Sequence, residues 1–491
     1  MSVLSIQVTE PRRTPRTAVR GAGRLLRLEL RRNVMLLMLP LAAALFWYHA
    51  YRRVMALPPM WNLRAMSLQN DALLDFALPV TGAAAWMGWR ESRRHLVEML
   101  ASTAQARWAR NLGTWAATTC WAMTGYLACA GVVYAITARQ ASWGGPLWWP
   151  LTVGAVGIPA LTAFGFAAGM IFPTRFTAPL AIVAAFFGLG LTFQEAQNVH
   201  SYWQISPLVS GAAGIGADPG VATFYRYLPD LSIAQVMFLA GLTVTLLGLV
   251  GLRAGGGWRL SVCAAVLTAV GLSASGTAVG FVGTARLDAH GMTVIPALHD
   301  AGSDRPAQYV PVCGEAVIRV CLNPAYAAYL PKVLDNLAPV LEQVAGLPGL
   351  PVTLSQAAQT YVVGADGEVT LPAASGPSEF TLPAVPGVPG TTSAGFAAQL
   401  DANVALPIVA HVIGITPHGP VAPAQQAIAA ALTQLDPRTT KLTLRLMPRP
   451  GSPAALAAHR FAALPVAARH AWLVKHITAL RAGIVTLAQV P

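Results

Sequence analysis

The stretch Ser232–Leu252, SIAQVMFLAGLTVTLLGLVGL, decides the fold. It carries no Asp, Glu, Lys or Arg. A helix of about 20 such residues, rising about 1.5 Å each, crosses the ~30 Å hydrocarbon core of a bilayer. Six further windows read the same way: Val34–Ala50, Leu73–Trp89, Leu112–Ile136, Trp149–Ile171, Thr177–Phe193 and Leu260–Gly283. The first, second and fifth are short. Phe172–Phe176 (FPTRF) parts the fourth window from the fifth, because Pro173 and Arg175 favour a turn over one long helix.

Composition agrees. Of 491 residues, 55% are hydrophobic and 11% charged, and the mean hydropathy is +0.52. Soluble chains carry roughly 25% charged residues, so an ordinary soluble globular protein is excluded. The net charge of +13 comes from 33 Lys+Arg against 20 Asp+Glu. On a soluble chain it would point to nucleic acid. On this one it reads as arginine retained in cytoplasmic loops, and no nucleic-acid partner is expected.

Residues 1–283 hold 21 Lys+Arg and 9 Asp+Glu, whereas residues 284–491 hold 12 and 11 and lack long apolar runs. The expected fold is an α-helical polytopic membrane domain of about 7 spans, followed by a mixed α/β soluble domain. Its parts are a basic cytoplasmic amphipathic segment (1–33), the membrane domain (34–283) and an extracytoplasmic domain (284–491) with a Pro/Gly-rich connector at 364–394. With the N-terminus inside, the inner segments carry 16 Lys+Arg and the outer loops 5, which sets that orientation. Seven crossings then put the C-terminal half outside the cell membrane, and a window that did not cross would reverse this.

In Arg16–Arg32 (RTAVRGAGRLLRLELRR), Arg20, Arg24, Arg27 and Arg31 recur at three- and four-residue steps. Such a basic amphipathic helix lies along inner headgroups or serves as a topological anchor. The loop Arg90–Arg110 (RESRRHLVEMLASTAQARWAR) places Glu91, Arg94, His95 and Glu98 on one helical face. It reads either as a surface for a cytosolic partner or as a solvated basic loop.

That order of parts resembles the membrane subunits of bacterial type-2 ATP-binding-cassette transporters: a basic entry helix and first span (RLELRRNVMLLMLPLAAALF), a second span closed by WRESRRHLVEMLASTAQARWARNLG, and a long third span. The resemblance covers about residues 16–252. It implies a permease subunit of an exporter-type transporter, a separate cytosolic ATPase docked near Arg90, Glu91, Arg93, Arg94 and Glu98, and a second permease copy or sister permease. The family has six spans, so Leu260–Gly283 and the outer domain depart from it. Only Lys332, Lys441 and Lys475 are present, and none follows a Gly-rich turn, so the chain has no P-loop of its own.

Ionisable groups within the windows are few. Asp75, His49 and Glu195 read as lying near outer span ends within reach of water, which argues against an ion-coupled carrier and for an apolar or amphipathic substrate. Gly165–Gly169 and Gly276–Gly280 are GxxxG pairs expected to pack helices within one subunit. Tyr202, Trp203, Tyr225 and Tyr227 in the loop 194–231 read as an interfacial belt.

In the C-terminal half, TVIPAL and AVIRVCL read as strands, Ala325–Ala345 as a helix broken or kinked by Pro331 and Pro339, and Lys441–Met447 as a strand. Helices are expected at Ala397–Ile413, Ala424–Leu435, Ala454–Ala463 and Val466–Ala482. Cys313 and Cys321 flank a Gly-Glu turn in a hairpin-like segment, and the spacing leaves a disulfide and two free thiols both open. His411, His418, His459, His470 and His476 lack HExxH spacing, and no GxSxG elbow occurs, so no enzyme, metal or cofactor is expected. The alternative to a permease is a membrane-anchored sensory or binding protein whose outer domain takes a partner or ligand.

Overall fold

The computed structural model describes residues 23–24, 26–93, 106–196, 201–210, 223–255, 257–288, 292–300, 302, 305–358, 362–363, 369–370, 378–388, 390–416, 419–433 and 446–491. The membrane half is helical. Its long helices are α1 (Met35–Phe46), α2 (Trp61–Gly88), α3 (Arg107–Gln140), α4 (Trp148–Ile171), α5 (Thr177–Glu195), α6 (Asp230–Ala254) and α7 (Trp258–Gly283). Five of them, α3 to α7, are long and apolar enough to cross a membrane.

The first two windows come out differently from the other five. α1 runs on through a π turn, Trp47–Tyr51, and a further α-helical turn, Arg52–Ala56. α2 begins twelve residues before the expected window and is 28 residues long. It misses the hydropathy of a lipid-facing span because Asn62, Arg64, Gln69, Asp71 and Asp75 lie along it, all buried by protein. An apolar run locates only the greasy part of such a helix. Its polar part is helical because neighbouring helices, not lipid, surround it.

α2 is the axis of the bundle, packed against α1, α3, α4 and α5, while α4 also packs on α6, which pairs with α7. Small residues set the closest approaches. A Cβ at Gly165 would collide with the Thr81 carbonyl, and one at Gly169 with the Ala85 carbonyl, so this GxxxG pair is the seam between α4 and α2. Gly276 and Gly280 behave otherwise: both are exposed, and a Cβ on either would meet nothing within 4 Å. The face of α7 that packs carries Ala264, Gly271, Ala278 and Val282, and Gly276 and Gly280 fall off that line. There Gly271 meets Gly241 of α6, with the two backbones in contact. In residues 172–176, Arg175 lies over the Phe176 ring at the turn before α5.

The C-terminal half is mixed α/β. Strands β1 (Arg286–Leu287) and β2 (Thr293–Val294) form a small antiparallel pair directly after α7. The main sheet joins β3 (Val312–Glu315), β4 (Arg319–Leu322), β5 (Thr353–Gln356) and β8 (Glu379–Phe380) in the order β3-β4-β5-β8, with β3 antiparallel and the rest parallel. A separate short pair is β6 (Val362–Val363) with β7 (Val369–Thr370). Cys313 pairs with Cys321 across β3 and β4, and the two are joined in a disulfide.

Between β4 and β5 runs α8 (Leu330–Val344), preceded by a 3-10 turn, Pro324–Tyr329. Pro331 therefore sits in the first turn of α8, where its missing N–H leaves no bond unmade, and only Pro339 lies inside the helix. The expected connector 364–394 is partly ordered into the core: Phe380, Leu382 and Val385 are buried, and β8 extends the sheet. Residues 364–368, 371–377 and 389 of that connector, and 441–445 of the expected strand Lys441–Met447, lie outside the described residues. The helices that close the core are α9 (Ser393–Leu400), α10 (Leu406–Val412), α11 (Pro423–Thr433), α12 (Pro453–Ala463) and α13 (Val466–Arg481), with a π turn, Asp401–Ala405, between α9 and α10.

The two halves share a seam. Met60 and Leu63, from the start of α2, belong to the same hydrophobic core as Val320, Leu337 and Phe396. Ser142 Oγ donates to the Pro324 carbonyl at 2.8 Å. The end of the bundle that holds Trp61, Gln140 and Trp148 is thus the domain end, and the end that holds Trp89, Arg107 and Ile171 is the elbow end.

Candidate functional site

Two polar constellations interrupt the apolar bundle, one in its middle and one at the elbow end. The central one is built where α1 and α2 run antiparallel. His49 and Arg53 stand four residues apart on one strand of this hairpin, and Asp71 and Asp75 stand four apart on the other. Antiparallel packing pairs them in order. His49 Nδ1 lies 2.9 Å from Asp75 Oδ1, and Arg53 Nη1 lies 3.3 Å from Asp71 Oδ1.

The π turn at Trp47–Tyr51 shapes this contact. A π turn widens the helix and releases a backbone N–H from its usual partner. Here the Ala50 N–H donates to Asp75 Oδ2 at 3.1 Å, so both oxygens of the carboxylate accept a bond. Ser67 Oγ donates to Asp71 Oδ2 at 2.8 Å. Arg53 Nη1 also lies 3.5 Å from His49 Nε2. A guanidinium can only donate, which makes Nε2 the acceptor and Nδ1 the protonated nitrogen facing Asp75.

Both acids are buried by protein. Asp71 is 4% and Asp75 8% exposed. Along α2, Asp75 lies about 21 Å from Trp61 and about 20 Å from Gly88 at ~1.5 Å per residue. The basic partners face outward, with the His49 side chain 37% and the Arg53 side chain 61% exposed. Buried acids paired with half-exposed bases tie α1 and its continuation to α2.

Toward the domain end the polar line continues. Arg64, buried, donates to Gln140 Oε1 at 2.7 Å and to the Leu57 carbonyl at 3.2 Å. Gln69 and Gln235 close an irregular segment, Ser201–Ser210, which opens with a 3-10 turn, Tyr202–Ile205, and is mostly buried within the bundle. Gln69 Nε2 donates to the Pro207 and Val209 carbonyls at 2.9 and 3.1 Å. Gln235 Nε2 donates to Ser206 and Val209 at 2.7 Å each. Irregular backbone at such depth is stable only when its carbonyls find donors within the protein. Of the aromatics expected as a belt, Tyr202 and Trp203 are exposed at the start of this segment, whereas the Tyr227 hydroxyl is inside, bonded to Ser232 Oγ at 2.8 Å.

At the elbow end the expected docking residues are divided. Arg90 grips Glu29 with two parallel bonds, 2.8 and 2.7 Å, and reaches Thr114 Oγ1 at 3.3 Å. Glu91 lies 3.5 Å from Arg107 Nε and 3.7 Å from Arg110 Nε. The short helix Arg90–Arg93 is therefore clasped to the entry helix on one side and to α3 on the other. Trp121 Nε1 adds a bond to the Leu30 carbonyl at 2.9 Å, and Asn33 Nδ2 one to Thr118 Oγ1 at 2.9 Å. Arg93 closes the short helix, and Arg94, His95 and Glu98 lie outside the described residues.

A second window that opens at Leu73 leaves Asp71 out, so a reading of hydropathy alone does not bring the central set together. The signal was present nonetheless: His49-x3-Arg53 and Asp71-x3-Asp75 are complementary i,i+4 pairs on either side of a Pro-Pro turn, Pro58-Pro59. Among the described residues no group of three or more His, Cys, Asp or Glu is placed to hold a metal ion. Compared with known proteins, the chain matches no family model, no curated protein and no solved structure.

Proposed function

We propose that this chain is the membrane subunit of an ATP-driven, exporter-type transporter, working with a separate cytosolic ATPase and a second copy or sister permease. In this reading all seven long helices cross the cell membrane, the elbow end faces the cytosol, and the C-terminal domain stands outside. The substrate is apolar or amphipathic. The observation that carries the reading is the double clasp of Glu29–Arg90 and Glu91–Arg107/Arg110. It joins the entry helix, the elbow and α3 to the foot of α2.

α2 then runs without interruption to Met60 and Leu63 in the domain core. A push at the elbow is thereby delivered along one rigid helix to the opposite face. The ion-paired set at the α1–α2 contact lies on that path and ties the two helices together there.

Copurification tests the reading. The wild-type chain, tagged and isolated from its own membranes in mild detergent, carries an ATPase with it. Arg94→Glu with Glu98→Lys lowers the amount recovered without lowering the amount of chain in the membrane, while Glu29, Arg90, Glu91, Arg107 and Arg110 of the clasp are left unchanged. If the wild-type chain brings no ATPase, the transporter reading fails. The anchored-domain reading then stands in its place, favoured by the large hydrophobic core that the C-terminal half builds around Val320, Leu337 and Phe396.

A further inference from the structure

The outward face of α1 and its continuation carries a stripe at four-residue steps: Pro40, Ala44, Tyr48 and Arg52. Together with Trp47 these residues line a cavity of about 640 Å3. Among the described residues nothing else lines it: Trp47 is 55% and Tyr48 74% exposed, and Leu37 and Leu41 beside them are 75% and 50%. The notch has a local cause. Ala44 has no bulk to fill the face, and the π turn widens the helix just beyond it and stacks Trp47 on Tyr51.

The stripe has a direction. It is apolar at Pro40, aromatic at Trp47 and Tyr48, and cationic at Arg52, whose guanidinium carbon lies 5.6 Å from the Tyr48 ring centroid. Among the described residues no carboxylate pairs with Arg52, while its neighbour Arg53 is paired with Asp71. From Pro40 to Arg52 is about 18 Å at ~1.5 Å per residue. That is close to the ~15 Å depth of one leaflet's hydrocarbon.

We propose that this face holds one phosphate-bearing lipid of the bilayer, its phosphate on Arg52 and its acyl chain in the notch over Pro40 and Ala44. A guanidinium offers parallel N–H donors that match phosphate oxygens. Tyr and Trp rings belong at headgroup depth. A second copy of the chain fits the same face poorly, since a two-fold contact would set Arg52 against Arg52. The assignment is independent of the transporter reading.

The test uses the full chain in detergent, with bound lipid counted by native mass spectrometry as phosphatidylglycerol is titrated in. Diacylglycerol with the same acyl chains serves as the phosphate-free probe. The wild-type chain is expected to hold one phosphatidylglycerol about tenfold more tightly than Arg52→Gln does, the scale of one lost charge-assisted contact. Arg52→Lys recovers part of the affinity, and Ala44→Trp, which fills the notch from an exposed position, loses it. Arg175→Gln, a second arginine over an aromatic ring, leaves it unchanged. Diacylglycerol binds wild type and Arg52→Gln alike. Equal phosphatidylglycerol affinity in wild type, Arg52→Gln and Ala44→Trp overturns the proposal. So does an Ala44→Trp chain that changes from dimer to monomer while keeping its lipid.

Discussion

At Asp75 one carboxylate accepts from the His49 ring and from the Ala50 N–H that the π turn releases. Removing it leaves a buried backbone donor without an acceptor, which costs about 1–3 kcal/mol in addition to the lost bonds. Asp75→Ala is therefore expected to lower stability in detergent by roughly 2–4 kcal/mol, read from thermal or denaturant unfolding. Asp75→Asn retains an acceptor and loses less. Equal losses in the two variants would remove the Ala50 bond from the explanation. A second acid behaves differently. Asp401, in the π turn after α9, has its pKa pushed up to about 6 by burial. Its folded form holds a proton that the unfolded chain has released, so stability from this group is greatest below about pH 4 and falls as pH rises toward about 6. Asp401→Asn should flatten that fall in the isolated chain. A slope unchanged by the substitution would assign the pH dependence to other groups.

At the scale of elements, glycine placement separates seams from open faces. Gly169 lies against the Ala85 carbonyl, and Gly280 meets nothing. Gly169→Leu should force α4 off α2 and cost about 3 kcal/mol or more through overpacking, whereas Gly276→Leu and Gly280→Leu should stay within about 0.5 kcal/mol as surface changes. Unfolding of the purified variants checks both. A destabilised Gly280→Leu chain would mean that the open face of α7 is in fact covered. The same elements show what was legible in the sequence. α3 to α7 were readable to within a few residues, because uninterrupted apolar runs have one stable form in lipid. α1 and α2 were readable only in part. The polar residues of α2 find partners on other segments, Asp75 on His49, Arg64 on Gln140 and Gln69 on the Pro207 and Val209 carbonyls, and hydropathy along one segment cannot register a partner on another. The spacing of His49, Arg53, Asp71 and Asp75 could have registered it. Of the two GxxxG pairs, Gly165–Gly169 lies between α4 and α2, whereas a Cβ at Gly276 or Gly280 would meet nothing, since glycine spacing says nothing of which neighbour is present. Of the elbow residues, the sequence identified a charged face but not that Arg90 and Glu91 are already engaged inside the chain.

For the molecule as a whole, the helical half and the α/β half are joined through the turn Leu57–Met60 and the first residues of α2. The central claim is that this joint stands on the far side of the membrane from the elbow. Single cysteines tested with a thiol reagent that cannot cross membranes address it most directly. Cys120, Cys129 and Cys263 are first replaced by Ala, and the Cys313–Cys321 disulfide is left in place. Ile484→Cys, at a position 70% exposed on the C-terminal domain, is predicted to label fully in intact cells. Arg24→Cys, exposed on the entry helix, is predicted to label only after the cells are opened. Labelling of Ile484→Cys confined to lysed cells would contradict the seven crossings and the outward domain together.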